Sequence, residues 1–520
     1  MTEQEQQHRR RRRRSRRQRQ RWGAEEEEGG SDVGRIDWPR FILVIANGLV
    51  LLAFLLLIML APLPLGANRD WAWAPLLVAL GGLSILVALG LGNPRGFSVE
   101  PNERWPLLVL LLCFLAFAFV GLLQVSTYAP PVGSAQFYAR ARALLGLAHD
   151  VVPTLSVDQT RNTLLRGLAC VLIFLLARAL FRDPARARWL LYGFLAGALL
   201  VMAYALAAQV STGGCYVGSL LKKVGDYNGR AEHCLMSGTF ANSNSFGCFM
   251  GMALAAAIAL VLQERRRRRA LEVEDDGSSP VDQFLRKMGG GTPIYLALAL
   301  LFLGAQLFSS SRAAFAVTVP MMAVLLFLSM RGRWRSGSHV RRTVIAGGTI
   351  GLIVLLVAGG AMLQKVSLLS EIGTFNRTII WRSSIRAAQA SPWLGWGLGT
   401  YTDIYAVYQP NEMRQANDKA HSTPIELLVE AGWIGLVPGV LLVAVPWAVS
   451  LFGAWRRRRH RYLMVAAMAV PGIAILHSCV DFSLQIPAIA FVAAAFLGMG
   501  WAQTFHRTPQ ATAAFTEAEE

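Results

Sequence analysis

The chain has 520 residues, of which 54% are hydrophobic and only 16% charged, and its mean hydropathy is +0.41. A soluble domain carries about a quarter of its residues as charges, so this composition excludes a soluble enzyme and leaves a polytopic membrane protein. The net charge of +19 invites a nucleic-acid reading, but the arginines sit in an N-terminal tail and in short loops between apolar runs, the pattern of the positive-inside rule, so no nucleic-acid partner is expected.

Residues 1–40 open with an almost pure arginine run, Arg9 to Arg21, followed by Glu25 to Glu28 and glycines. Such a stretch is too charged to fold alone. No short apolar core with a small-residue cleavage site follows it, so it reads as a disordered cytoplasmic tail drawn to anionic membrane lipids. Twelve apolar runs come next, each near the ~20 residues needed to cross the hydrocarbon layer. They cover 41–60, 73–91, 105–125, 164–181, 189–210, 240–262, 293–308, 313–330, 344–363, 431–451, 462–477 and 487–501. The first six make an N-terminal set over 41–262, and 263–292 is a charged, Gly/Ser-bearing cytoplasmic linker. Residues 293–363 hold the seventh to ninth spans, 364–430 a long outer loop, 431–501 the last three spans and 502–520 a second tail. Alternating the loops places the runs Arg265–Arg269 and Arg456–Arg459 on the same side as both termini, which is then cytoplasmic. The expected fold class is thus an all-α polytopic membrane protein of about twelve helices, with one long periplasmic loop between the ninth and tenth.

Six cysteines are present. Cys113, Cys170 and Cys248 lie in apolar spans and Cys479 just beyond one, whereas Cys215 and Cys234 share an outer loop where a disulfide persists. That pair is the expected bridge.

Four constellations carry possible chemistry. Arg312, in SSSRAAF, stands at the outer end of two adjoining spans. An arginine near bilayer depth is costly and calls for an anionic partner, either a ligand or the headgroups and carboxylates it reaches by snorkelling. Asn376 is suited to cap a helix on which Arg377 and Trp381 share one face and Arg382 and Arg386 a neighbouring one. Guanidinium forks match phosphate oxygens; the other reading is a surface helix resting on anionic lipid. His421 is followed by Glu426 and Glu430, with no second histidine at zinc spacing. A neutral imidazole there is placed to take a proton from a hydroxyl, with the carboxylates orienting it or binding sugar hydroxyls; a lone structural histidine is the rival. Finally, Asn242 and Asn244 in GTFANSNSFG either bind a polar ligand or satisfy a helix start. The sequence holds no P-loop, no DxD pair and no zinc-spaced Cys/His cluster. No cofactor or metal is expected, and an outward-facing reaction would draw on a donor that is already activated and lipid-borne.

The segments SSSRAAF, FNRTIIWRSSIRAAQASPWLGWGLGTY and AHSTPIELLVEAGWIG resemble, in order and topology, the signatures of O-antigen ligase and O-antigen polymerase-type membrane glycosyltransferases over about 239–435. The resemblance implies a bacterial inner-membrane enzyme of cell-envelope polysaccharide biosynthesis with a periplasmic site. It implies a metal-independent transfer of a glycan from an undecaprenyl-diphosphate carrier to an acceptor hydroxyl, on a glycan or a lipid-A-core-type acceptor. It carries Arg312 and Arg377 over as the diphosphate grip and His421 as the group that activates or orients the acceptor. Trp381, Arg382, Asn244, Glu426 and Glu430 are the expected substrate-binding residues. Arg382 directly after Trp381 departs from the pattern and leaves open which of Arg377 and Arg382 faces the diphosphate. Two rivals stand beside it. One is a transporter of an anionic lipid or solute, which calls for broken helices at the midplane and two similar halves. The other is a noncatalytic assembly subunit.

Overall fold

The computed structural model describes residues 38–93, 97–128, 143–146, 152–212, 236–240, 242–271, 291–331, 367–411, 413 and 417–506. The arginine run, the linker from 272 to 290, the span expected at 344–363, the Cys215–Cys234 pair and the tail from 507 lie outside them. Every described element is helical: α1 (Trp38–Leu60), α2 (Asp70–Ala88), α3 (Arg104–Gln124), α4 (Val157–Leu180), α5 (Pro184–Thr212), α6 (Ser243–Leu271), α7 (Thr292–Phe308), α8 (Arg312–Met330), α9 (Ser367–Ala390), α10 (Tyr401–Tyr408), α11 (Thr423–Arg456), α12 (Arg461–Ser478) and α13 (Pro487–Phe505), with short 3-10 turns at Leu65–Ala67, Pro101–Glu103 and Ser483–Gln485. Among the described residues ten helices are long and apolar enough to cross a membrane, and α7 is a shorter apolar helix. Contacts divide the chain into a unit ending at Leu49, whose described part is the start of α1, and a unit from Val50 onward.

Within the second unit α6, α12 and α13 are enclosed almost all round. They pack on one another or on α4, α5, α7, α8 and α11. A helix that is apolar on every face is stable only when so buried or when facing lipid. The outer helices meet the second condition: Leu111, Leu112 and Phe119 of α3 and Val437, Val440 and Leu441 of α11 are exposed. Close approach relies on small residues, as in membrane bundles generally. Gly247 and Gly251 of α6 admit Ser309, Ser311 and Thr318 of the α7–α8 corner, where a side chain would collide.

Two boundaries differ from the sequence expectation. Asn376 was the expected cap, but it lies inside α9, which begins at Ser367. The spacing of Leu368, Ile372, Phe375 and Ile379 continues one apolar stripe through Asn376, and that stripe overrides a local capping preference. The outer loop expected at 364–430 is largely helical, formed by α9, α10 and the first turns of α11.

The expected start of the tenth span, residue 431, coincides with a break: α11 is one run interrupted at Gly432, whose φ is +59° and ψ −169°. The groups released by the break are taken up by the loop after α9. Trp433 and Ile434 donate their N–H groups to the carbonyls of Pro392 and Trp393 at 2.8 and 3.2 Å, and Trp396 and Gly397 donate to Val429 and Glu430 at 3.0 Å each. Gln124, fully buried at the end of α3, donates its amide to the carbonyls of Leu394 and Glu430 at 2.6 and 2.8 Å and accepts from Leu398 N–H at 2.9 Å. Gly395, at φ +67°, and Gly432 stack so closely that a Cβ on either would enter the other segment's backbone. Gly395→Val or Gly432→Ala should therefore lower stability by about 2–4 kcal/mol. Gly304→Ala, in a helix with open space around it, should be neutral or stabilising; thermal unfolding in detergent with intrinsic fluorescence compares the three.

Candidate active site

The pairing between the 392–397 loop and the break in α11 sets the position of α11's first turns and of the segment leading into them. Trp381 of α9 donates its indole N–H to the Ala420 carbonyl at 2.9 Å. Both oxygens of Glu426 are taken, one by Lys419 Nζ and one by Ala420 N–H, each at 3.0 Å. Burial works against the Lys419 charge, yet Glu426 and Glu430 hold its ammonium above the ordinary lysine value. Glu430, buried behind them, accepts from Tyr401 N–H at 3.2 Å. The structure thus ties Trp381, Glu426 and Glu430 to protein groups that fix the approach to His421.

His421 follows immediately, at φ +49°, a left-handed conformation in a non-glycine residue. Such strain costs of order 1–3 kcal/mol and persists only where the surroundings overdetermine it. They do so here. Its Nδ1 lies 3.1 Å from Asp481 Oδ1, its ring meets Phe482 at 5.5 Å, and the N–H of Thr423 bonds the Asp481 carbonyl at 3.3 Å. Asp481, in the turn between α12 and α13, is fully buried, whereas the imidazole keeps about a quarter of its surface open. The guanidinium of Arg377, one-third exposed, stands 4.0 Å from Asp481 Oδ2. Burial pushes the Asp481 carboxyl up, but the hydrogen bond from His421 and the charges of His477, His421 and Arg377 outweigh it and hold the carboxyl below its ordinary range.

Of the two candidate arginines on α9, Arg377 is the one at the His421–Asp481 pair; Arg382 points into the open on the neighbouring face. Arg312 is exposed at the first residue of α8, after Ser311 caps that helix by accepting from Ala314 N–H at 3.3 Å, and it forms no ion pair with another described residue. Asn242 does cap α6, its side chain accepting from the backbone of Asn244 at 2.7 Å. Asn244 shares the α6 face of Gly247 and Gly251 that meets the α7–α8 corner. Gly247 faces that corner, and α6 also touches the Ser483–Gln485 turn that follows Asp481.

Sequence reasoning missed Asp481 and His477. The usable signal was a carboxylate and a histidine in HSCVDFSLQIP between two apolar spans, since ionisable groups at membrane depth are functional by default.

Because its folded-state carboxyl is held low, Asp481 contributes stability that is fully present above its ordinary value of 3.8 and is lost as pH falls through the lowered value. Asp481→Asn should lower the midpoint of thermal unfolding at pH 7, and its deficit relative to wild type should shrink as pH drops below about 4. A deficit that stays constant down to pH 2.5 would contradict an ionised Asp481.

No curated protein matches the chain. Residues 296–438 match the family model described as O-antigen ligase. The matched stretch contains Arg312, Arg377, His421, Glu426 and Glu430 and ends before Asp481. With ten apolar spans among the described residues, the match supports a multi-pass bacterial membrane enzyme of the glycosyl-transferring kind. The stretch 296–438 is thus similar to the O-antigen ligase family.

Proposed function

We infer that this protein transfers a glycan from an undecaprenyl-diphosphate carrier to an acceptor hydroxyl at the periplasmic face of the inner membrane, without a metal. The observation that carries the reading is the 3.1 Å contact between His421 Nδ1 and a buried carboxylate beside an arginine. With Asp481 accepting from Nδ1–H, His421 Nε2 is left as the proton acceptor. The acceptor hydroxyl gives its proton to Nε2 as its oxygen bonds the anomeric carbon. The bond from that carbon to the diphosphate oxygen breaks, and its electron pair leaves with the lipid diphosphate. Arg312 and Arg377 stabilise the charge developing on the leaving oxygens, with Arg382 and Asn244 on the flanks of the donor. Attack opposite the diphosphate inverts the anomeric carbon. Trp381, Glu426 and Glu430 serve by holding the segment that presents His421.

One observation favours transport of an anionic lipid or solute instead: α11 is a broken helix, a feature of substrate sites in transporters. The break, however, spends its amides and carbonyls on the 392–397 loop and on Gln124, so its backbone is not open to a substrate. It also lies nine residues from the α11 start, about 14 Å along the helix and toward the His421 end.

Reconstituted protein with a lipid-diphosphate glycan and an acceptor, in chelator, tests the reading. His421→Ala should cut transfer by about 10²–10⁴. Arg312→Ala and Arg377→Ala should each cost about 10²–10³, and Arg382→Ala markedly less. Full activity in the His421 and Arg312 variants sinks the assignment of roles, and strict dependence on added metal sinks the mechanism.

A further inference from the structure

His477 closes the last turn of α12 with its side chain wholly enclosed, four residues before Asp481. It belongs to none of the motifs that single out the site. Its Nδ1 lies 2.9 Å from Ser483 Oγ. Its other ring nitrogen, Nε2, is buried with no hydrogen-bond partner among the described residues, and so is Asp481 Oδ2, for which the Arg377 guanidinium at 4.0 Å is too distant. Two orphaned polar atoms on residues four apart in the chain, each costly to leave unpaired, point to a shared partner.

A hydroxyl both donates and accepts. In the arrangement that serves both orphaned atoms, the Ser483 hydroxyl donates to His477 Nδ1 and the imidazole carries its proton on Nε2. The carboxylate of Asp481, four residues on, has its other oxygen held by His421. We propose that His477 is a positioning residue of the transfer site, acting through one bridging water on Asp481 Oδ2 and so fixing both the carboxylate and the tautomer of His421. A buried water makes about three hydrogen bonds, which His477, Asp481 and Arg377 supply. Asp481 then receives one donor from each histidine, and His421 is presented with Nε2 bare.

The inference rests on the glycan-transfer reading for its kinetic consequence, while the tautomers are measurable without substrate. Nitrogen-15 histidine spectra of the full-length protein in nanodiscs, for wild type, His477→Gln and His477→Leu, would be recorded beside transfer kinetics. Wild-type His477 should be protonated on Nε2 and His421 on Nδ1. In His477→Leu the His421 tautomer should become mixed, and kcat should fall about tenfold with KM for donor and acceptor unchanged. The glutamine variant, which keeps an N–H donor, should stay within about threefold of wild type. An Nδ1 proton on wild-type His477 overturns the proposal, as does an equal loss of kcat in both variants or none in either. Absence of transfer by wild type would instead remove the functional reading, and the tautomers would still decide the role of His477.

Discussion

The backbone pairing between the 392–397 loop and the break in α11 is the constraint on which the rest of the site depends. A helix broken in an apolar layer exposes amides and carbonyls that lipid cannot satisfy. Here the loop supplies four backbone partners and Gln124 three more hydrogen bonds, so the break is stabilised by its surroundings. The result is a joint with no free play. The loop leads back into α9, which carries Arg377, and the first turns of α11 follow the segment that carries His421. Fixing the joint fixes both side chains relative to each other. The glycines at 395 and 432 are required because two backbones touch there, while Gln124 links the joint to α3 in the N-terminal half of the bundle.

Charge is handled differently at the two ends of the bundle. At the end where α13 finishes, Glu103 is completely buried but saturated, bonded by Arg178 through two nitrogens and by the Trp501 indole at 2.8 Å. Gln503 adds bonds to the carbonyls of Phe181 and Arg182 at 2.7 and 2.9 Å. A saturated pair of this kind fixes helix register and has little left to offer a ligand. At the other end Asp481 is as deeply buried but is only partly satisfied, and its neighbours His421 and Arg377 remain partly open. Since α12 and α13 run between these ends, the saturated network holds the rods whose far ends define the unsaturated one.

Much of this was legible in the sequence because apolar runs of about 20 residues identify spans without help from tertiary structure. Eleven of the twelve expected runs coincide with helices, ten of them of full spanning length, and the twelfth lies outside the described residues. Arg312, Arg377 and His421 were legible from their order between spans. The structure places Arg377 and His421 on one carboxylate. What the sequence concealed has physical reasons. Asn376 carries a capping preference, but a continuous apolar stripe runs past it. The break at Gly432 leaves no mark in hydropathy, because the residues on both sides are equally apolar and only the partner loop reveals it. Asp481 lies some 60 residues from His421, and nothing in either segment announces the other.

The division of labour between the two arginines follows from what each already holds. Arg312 opens α8 without an ion-pair partner among the described residues, so an arriving phosphate has no protein carboxylate to displace there. Arg377 stands against Asp481, and a phosphate that engages it must compete with that carboxylate. On the transfer reading, one buried carboxylate is shared between a phosphate-binding arginine and an acceptor-facing histidine, so the donor and acceptor sides of the site are tied together through Asp481 without any moving domain.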